Sequence, residues 1–238
     1  MEAEEVMERS RHVLSDVARY GLWLATVATA RANRRVYGMP TTWAPHLALN
    51  TVALLLPDLL RLAGQGHPQS PDNDDNLLGL AWRTLTAVAA DNPGYVWHIA
   101  PFTAGYLTSH PRFDIYKGPL GELRVAGFGL DTLPHSLTAL ALTLLAGEAI
   151  AVAAEDVRGD SRLAETLRWC ADHPAAATGL MLAALTAVWE TSEWMALRYE
   201  LEQKGDPALI NMQWNVPDML RDCAANAAGW AAGCLIRM

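Results

Sequence analysis

Runs without Asp, Glu, Lys or Arg divide this chain into apolar stretches separated by short polar ones. Val36–Pro57 is 22 residues long without such a charge, and Asn92–Pro111 is 20. Thr132–Gly147 and Pro174–Trp189 are 16 each, and Cys223–Ile236 is 14. The first is long enough to cross a hydrocarbon layer of about 30 Å as a helix. Thr132–Gly147 continues past Glu148 to Ala154, and Pro174–Trp189 extends past two Glu residues to Leu197. An earlier segment, Val13–Ala30, carries Asp16 and Arg19 near its start, and Asn76–Ala90 carries Arg83 centrally. Pro93, Pro101 and two glycines interrupt Asn92–Pro111, which predicts a broken or re-entrant helix there.

The polar stretches read as connections. Residues 64–75 lie within GQGHPQSPDNDDN, a Gly/Pro/Asp linker that separates an N-terminal helical hairpin (1–63) from a helical bundle (76–238). Pro111–Leu130 holds five charges and four glycines and reads as an ordered surface loop. Glu155–Pro174 is charged, with room for an interfacial helix around Leu163–Cys170. Pro217 or Asp218 is placed to open the last helix. The expected fold is therefore all-α, a polytopic membrane bundle of about six helices. A soluble bundle of Ala-rich helices is the competing reading.

Composition agrees with the helical class. Apolar residues make up 51% of the 238 and charged residues 18%, below the roughly 25% charge of soluble domains. Ala and Leu dominate while Val, Ile and Phe are sparse, which favours helix over strand. Nine Trp suit anchoring at a membrane interface. The mean hydropathy of +0.07 is low for a chain of pure spanning helices, so the helices must carry polar faces. A net charge of −8 argues against nucleic acid, which requires a basic surface. The N-terminus is acidic and lacks the apolar core of a cleavable signal peptide. Cys170, Cys223 and Cys234 have no metal-binding spacing. Cys223 and Cys234 are too far apart on one helix to bridge, so all three read as small core residues. Lys and Arg are spread too evenly to orient the chain by the positive-inside rule.

Seven polar residues break the apolar pattern at helical spacing. Asp131 and His135 are i, i+4 at the start of one helix, where the carboxylate can fix the imidazole tautomer. Asp131 is equally suited to capping that helix. Glu148, thirteen residues on, belongs about 20 Å away at the other end. Glu190 and Glu193 are i, i+3 between Trp189 and Trp194. They either mark a helix emerging into water or point inward toward His135 or Arg221. Asp218, Asp222 and Asn226 step by four on an Ala-rich helix, and Gly229 and Gly233 continue the stripe, where small residues permit close helix packing. His46 and His98 also lie in apolar runs, but nothing in the sequence pairs them with this cluster.

The order of an Asp-x-x-x-His helix, a Glu-bearing helix and a final helix with Asp222, Asn226, Gly229 and Gly233 resembles the VanZ-like superfamily and related bacterial inner-membrane proteins. Asp131 and His135 match its Asp and Gly-His element, Glu190 or Glu193 its acidic helix, and Asp218 stands one turn before its closing element. The resemblance covers Gly129 to Met238. Pro134 stands where the family has Gly, Ser136 replaces its Phe, and the connecting segments are longer and more charged. It implies a multi-pass protein of the bacterial cytoplasmic membrane, with founding members tied to glycopeptide resistance and no settled chemistry.

Three functional classes follow. One is a VanZ-like envelope protein whose pocket acts on a lipid-linked substrate. The second is an accessory subunit whose polar face holds helices or membrane-protein partners together, and the third is a proton- or ion-coupled carrier. The sequence contains no nucleophile elbow, phosphate loop or dinucleotide fingerprint, and leaves open whether the protein is an enzyme. No organic cofactor is evident. A divalent cation is compatible with the carboxylate-rich site.

Overall fold

A computed structural model describes residues 2–64, 77–125, 127–206 and 214–237. The expected linker at 64–75 lies outside the described residues apart from Gly64.

The fold is all-α, as the composition implies. In order, the helices are α1 (Glu2–Tyr37), α2 (Ala44–Gly64), α3 (Leu77–Leu85), α4 (Tyr95–Leu107), α5 (Gly118–Gly121), α6 (Thr132–Asp156), α7 (Arg162–Asp172), α8 (Pro174–Lys204) and α9 (Val216–Arg237). A π-helical turn over Thr86–Ala90 extends α3. A two-stranded hairpin, β1 (Arg124–Val125) and β2 (Phe128–Gly129), sits in the loop before α6, with Val125 paired to Phe128.

Val36–Pro57 is not one helix. Gly38 adopts φ +75° and ends α1, Pro40 opens a short 3₁₀ turn, and α2 starts only at Ala44. Absence of charge marks this stretch as apolar, but its Gly and Pro residues set the helix ends. Asn92–Pro111 departs from expectation in the other direction. Here α4 runs through Pro101 unbroken, so the segment is one short helix. At 13 residues it spans about 20 Å. α9 begins at Val216, with the Asn215 side chain accepting from the Asp218 backbone N–H at 3.0 Å.

Pairwise contacts give each long helix a direction. Arg19 reaches Asp58 and Asn33 reaches Thr42, so α1 and α2 are antiparallel. α4 opposes α6, with Gly105 against Pro134 at one end and His98 facing Glu148 at the other. α8 opposes α9 through Thr186 with Asn226 and Thr178 with Trp230. α6 and α9 are parallel, with Gly229 against Ser136 and Gly233 against Thr143. α1, α2, α4, α6, α8 and α9 thus alternate along the chain. α7 turns the chain at one end, and the Thr108–Asp131 loop covers the other, called here the mouth.

Two local features fasten α2 to its neighbours, one to α4 and one to α1. Pro57 has no N–H, so the Ala53 carbonyl loses its helical donor, and the Tyr95 hydroxyl donates to it at 2.8 Å. Arg19, only 1% exposed, donates to Asp58, to Asp16 at 2.9 Å and to the Leu54 carbonyl at 2.6 Å. Leu54, Leu60, Ala89, Ala90, Tyr95 and Ile99 form an apolar core beside it.

Among the described residues, two helical stretches are long and apolar enough to cross a membrane: Pro40–Gly64 and Thr132–Asp156. Only 22% and 28% of their most apolar windows are buried inside the protein. Length and composition thus qualify two helices, not six.

Candidate functional site

The convergence point lies at the mouth end of α6, α8 and α9. Glu190 and Glu193 sit one turn apart on α8, and Asp222 faces them from α9. One carboxylate oxygen of each lies within 4.8 Å of the other two. Glu190 and Asp222 are both 7% exposed. Three carboxylates this close repel strongly unless a proton or a cation lies between them.

The neighbours of this triad are specific. On α6, His135 places Nε2 3.6 Å from Asp222 Oδ1, a contact just beyond hydrogen-bond reach. The Trp214 indole N–H donates to Glu190 Oε2 at 3.2 Å. The other oxygen, Oε1, is buried with no hydrogen-bond partner among the described residues. Asn226 donates to Thr186 at 3.1 Å, joining α9 to α8 one turn below Asp222.

Four of the seven sequence candidates therefore meet at one point, His135, Glu190, Glu193 and Asp222, while Asn226 lies one turn below, bonded to Thr186. Asp218 is turned toward Arg221, which donates to it at 2.8 Å. Asp131 does not orient His135 through a hydrogen bond. It caps α6 instead, accepting from the Thr132 N–H at 3.1 Å. The partner of His135 comes from another helix, which i, i+4 spacing cannot reveal. The two Glu residues point inward but meet each other, Asp222 and Trp214, not Arg221.

Close packing fixes the α6 and α9 side of the site. A Cβ added at Gly229 would overlap the Ser136 carbonyl, and one added at Gly233 would lie 2.9 Å from the Thr143 side chain. These glycines let the two backbones touch, which carries Asp222 up to His135. On its other side, α9 is separated from α8 by an open cleft of about 810 Å³. Leu182, Ala183, Trp194, Met219, Ala227 and Trp230 line its apolar walls, with Glu190 and Asn226 as polar points. Cys223 lines it too. All three cysteines are half-buried free thiols and not core residues.

The loop side of the mouth carries a second polar group that sequence reading passed over. Tyr37, the last residue of α1, donates to Asp114 at 2.9 Å. Burial, then the hydrogen bond to Asp114, pushes its phenol up to about 12. Lys117 lies 4.9 Å from the centre of the Tyr37 ring, and burial lowers its ammonium below the usual value. The Tyr116 hydroxyl donates to the Gly105 carbonyl at 3.0 Å, tying the loop to α4. Glu200, fully buried, accepts from Thr41 at 2.6 Å. At the far end, Glu148 accepts from Asn92 at 2.9 Å and faces His98 at 4.0 Å, well away from the triad.

No known protein family matches the chain, and neither a curated protein nor a solved structure is significantly similar to it. The functional reading therefore rests on the chain's own residues and geometry.

Proposed function

We propose that the chain is a multi-pass, VanZ-like integral protein of the bacterial cytoplasmic membrane, whose carboxylate and imidazole pocket acts on a lipid-linked envelope substrate. The observation that carries this reading is the meeting of Glu190, Glu193, Asp222 and His135 beside an apolar cleft between α8 and α9. A lipid tail fits apolar walls of that kind, and a polar headgroup would then meet the carboxylates and the imidazole. Those groups are suited to general acid and base work on such a headgroup.

The distribution of polar and apolar residues supports the membrane address. Side chains buried between helices are often small and polar: Thr26, Asn50, Thr103, Thr143 and Thr178 are each at most 1% exposed. Thr26, Thr143 and Thr178 donate back to carbonyls of their own helices, which satisfies them without water. Large apolar residues meanwhile face outward, including Leu78 at 80%, Leu180 at 69% and Val188 at 65%. A soluble core has the opposite distribution, while small polar interfaces and apolar exteriors suit helices packed in lipid. The alternating directions of these six helices, all but α4 at least 21 residues long, also suit successive crossings.

Two measurements test the reading. The full chain expressed in a bacterial host should sediment with membranes and require detergent for release. Recovery in the detergent-free soluble fraction would sink it. Expression should also change the host's susceptibility to glycopeptide antibiotics. Variants His135→Ala and Asp222→Asn that accumulate normally in membranes should lose that effect. If they retain it, the pocket is not the working site and the accessory-subunit reading gains ground.

A further inference from the structure

The triad has an unmet demand that points to a particular ligand. Glu190 is 7% exposed, and its Oε1 has no partner among the described residues although Trp214 satisfies Oε2. A buried acceptor left without a donor is costly, and a bound cation removes that cost. The oxygen belongs to one of three carboxylates whose ligand atoms already lie within 4.8 Å of one another. His135 Nε2 adds an imidazole nitrogen next to Asp222.

We propose that Glu190, Glu193 and Asp222, with His135 at the edge, bind one divalent transition-metal ion of the zinc or manganese type. Donor chemistry selects this class. Calcium and magnesium favour all-oxygen shells with several waters, whereas a mixed carboxylate and imidazole set suits zinc and manganese. Dimensions agree. Oxygens bound at about 2.1 Å on a tetrahedral ion stand about 3.4 Å apart, so atoms now within 4.8 Å need to draw in by roughly an ångström. Side-chain rotation supplies that movement, since Glu193 is only half-buried. The close contact of α6 with α9 holds Asp222 and His135 in place, and the two Glu residues close from α8.

The inference rests on the convergence of these side chains and not on any lipid substrate. The test uses the full chain purified in detergent, stripped with a chelator and then given Zn²⁺, Mn²⁺ or Co²⁺ alone. Elemental analysis after gel filtration should find one ion per chain, and unfolding should shift to higher temperature in its presence. Bound Co²⁺ should show visible absorption bands that change in His135→Ala. Glu193→Gln and Asp222→Asn should each weaken binding by well over about 100-fold, beyond the roughly 10- to 100-fold that outer partners of a metal site contribute. Glu148→Gln, at the far end of α6, should leave it unchanged. If the wild-type chain shows no saturable binding, the proposal fails, whatever the variants do. Binding that survives unchanged in both triad variants also overturns it. Because no lipid is added, this outcome is separate from the antibiotic phenotype, and either result can stand without the other.

Discussion

The Tyr95 hydroxyl of α4 donates to the backbone carbonyl of Ala53 in α2, the one carbonyl that Pro57 deprives of its helical donor. A proline that weakens one helix therefore creates the attachment point for another. Tyr95→Phe keeps the ring and removes the donor, leaving a buried carbonyl unpaired. We expect a loss of about 1 to 3 kcal/mol in detergent unfolding. Pro57→Ala in the same background should recover part of it by restoring the helical bond, and a non-additive double-mutant cycle would identify the coupling.

Arg19 attaches α1 to α2. Arg19→Met would leave Asp16 and Asp58 only the more distant Arg61, at 3.7 and 3.9 Å, at a cost of about 1 to 3 kcal/mol because both acids are partly exposed. Adding Asp58→Asn should return much of that loss. Equal stability of Arg19→Met and wild type in chemical denaturation would show that the pair holds nothing together.

Gly229 and Gly233 set the distance between α6 and α9. Gly229→Ala places a methyl group against the Ser136 carbonyl and should destabilise by about 1 to 3 kcal/mol, as overpacking does elsewhere. Gly21, whose added Cβ meets nothing within 4 Å, is the matched control. Its replacement by Ala should be neutral or stabilising. A Gly229→Ala variant as stable as Gly21→Ala would contradict the close approach.

The Tyr37 bond to Asp114 gives a pH signature. Its phenol is raised to about 12, chiefly by burial, so the neutral donor outlasts that of a free tyrosine. A raised folded value contributes stability that is complete below the unfolded value near 10 and is lost as pH rises toward 12. The stability gap between wild type and Tyr37→Phe should thus hold from neutral pH to about 10 and close above it. A gap that closes on acidification would refute the assignment.

Much of the helical layout is legible in the charge pattern, because long apolar runs have few alternatives to helix. Thr132–Gly147 with its extension to Ala154 falls within α6, and Leu163–Cys170 within α7. Where the pattern misled, local backbone chemistry prevailed. Gly38 and Pro40 divide an uncharged run, while Pro101 is tolerated inside α4. Members of the site are also legible, since Glu190, Glu193 and Asp222 stand out as acids in apolar helices. Their partners are not. His135 meets Asp222 across 87 residues, and Trp214 reaches Glu190 from the segment before α9. One clue was readable and passed over. Asp16 with Arg19, and Asp58 with Arg61, are complementary i, i+3 pairs on the two helices of the hairpin.

The glycine contact of α9 with α6 and its open cleft toward α8 divide the bundle into a stiff part and a compliant one. Backbone against backbone leaves α6 and α9 nothing to slide on, so Asp222 and His135 move as one body. α8 is held to that body near the cleft by isolated polar bonds such as Thr186 to Asn226. A swing of α8 away from that body is the motion that would separate Glu190 and Glu193 from Asp222. Whatever occupies the cleft thereby sets the spacing of the three acids. Conversely, whatever draws the acids together narrows the cleft.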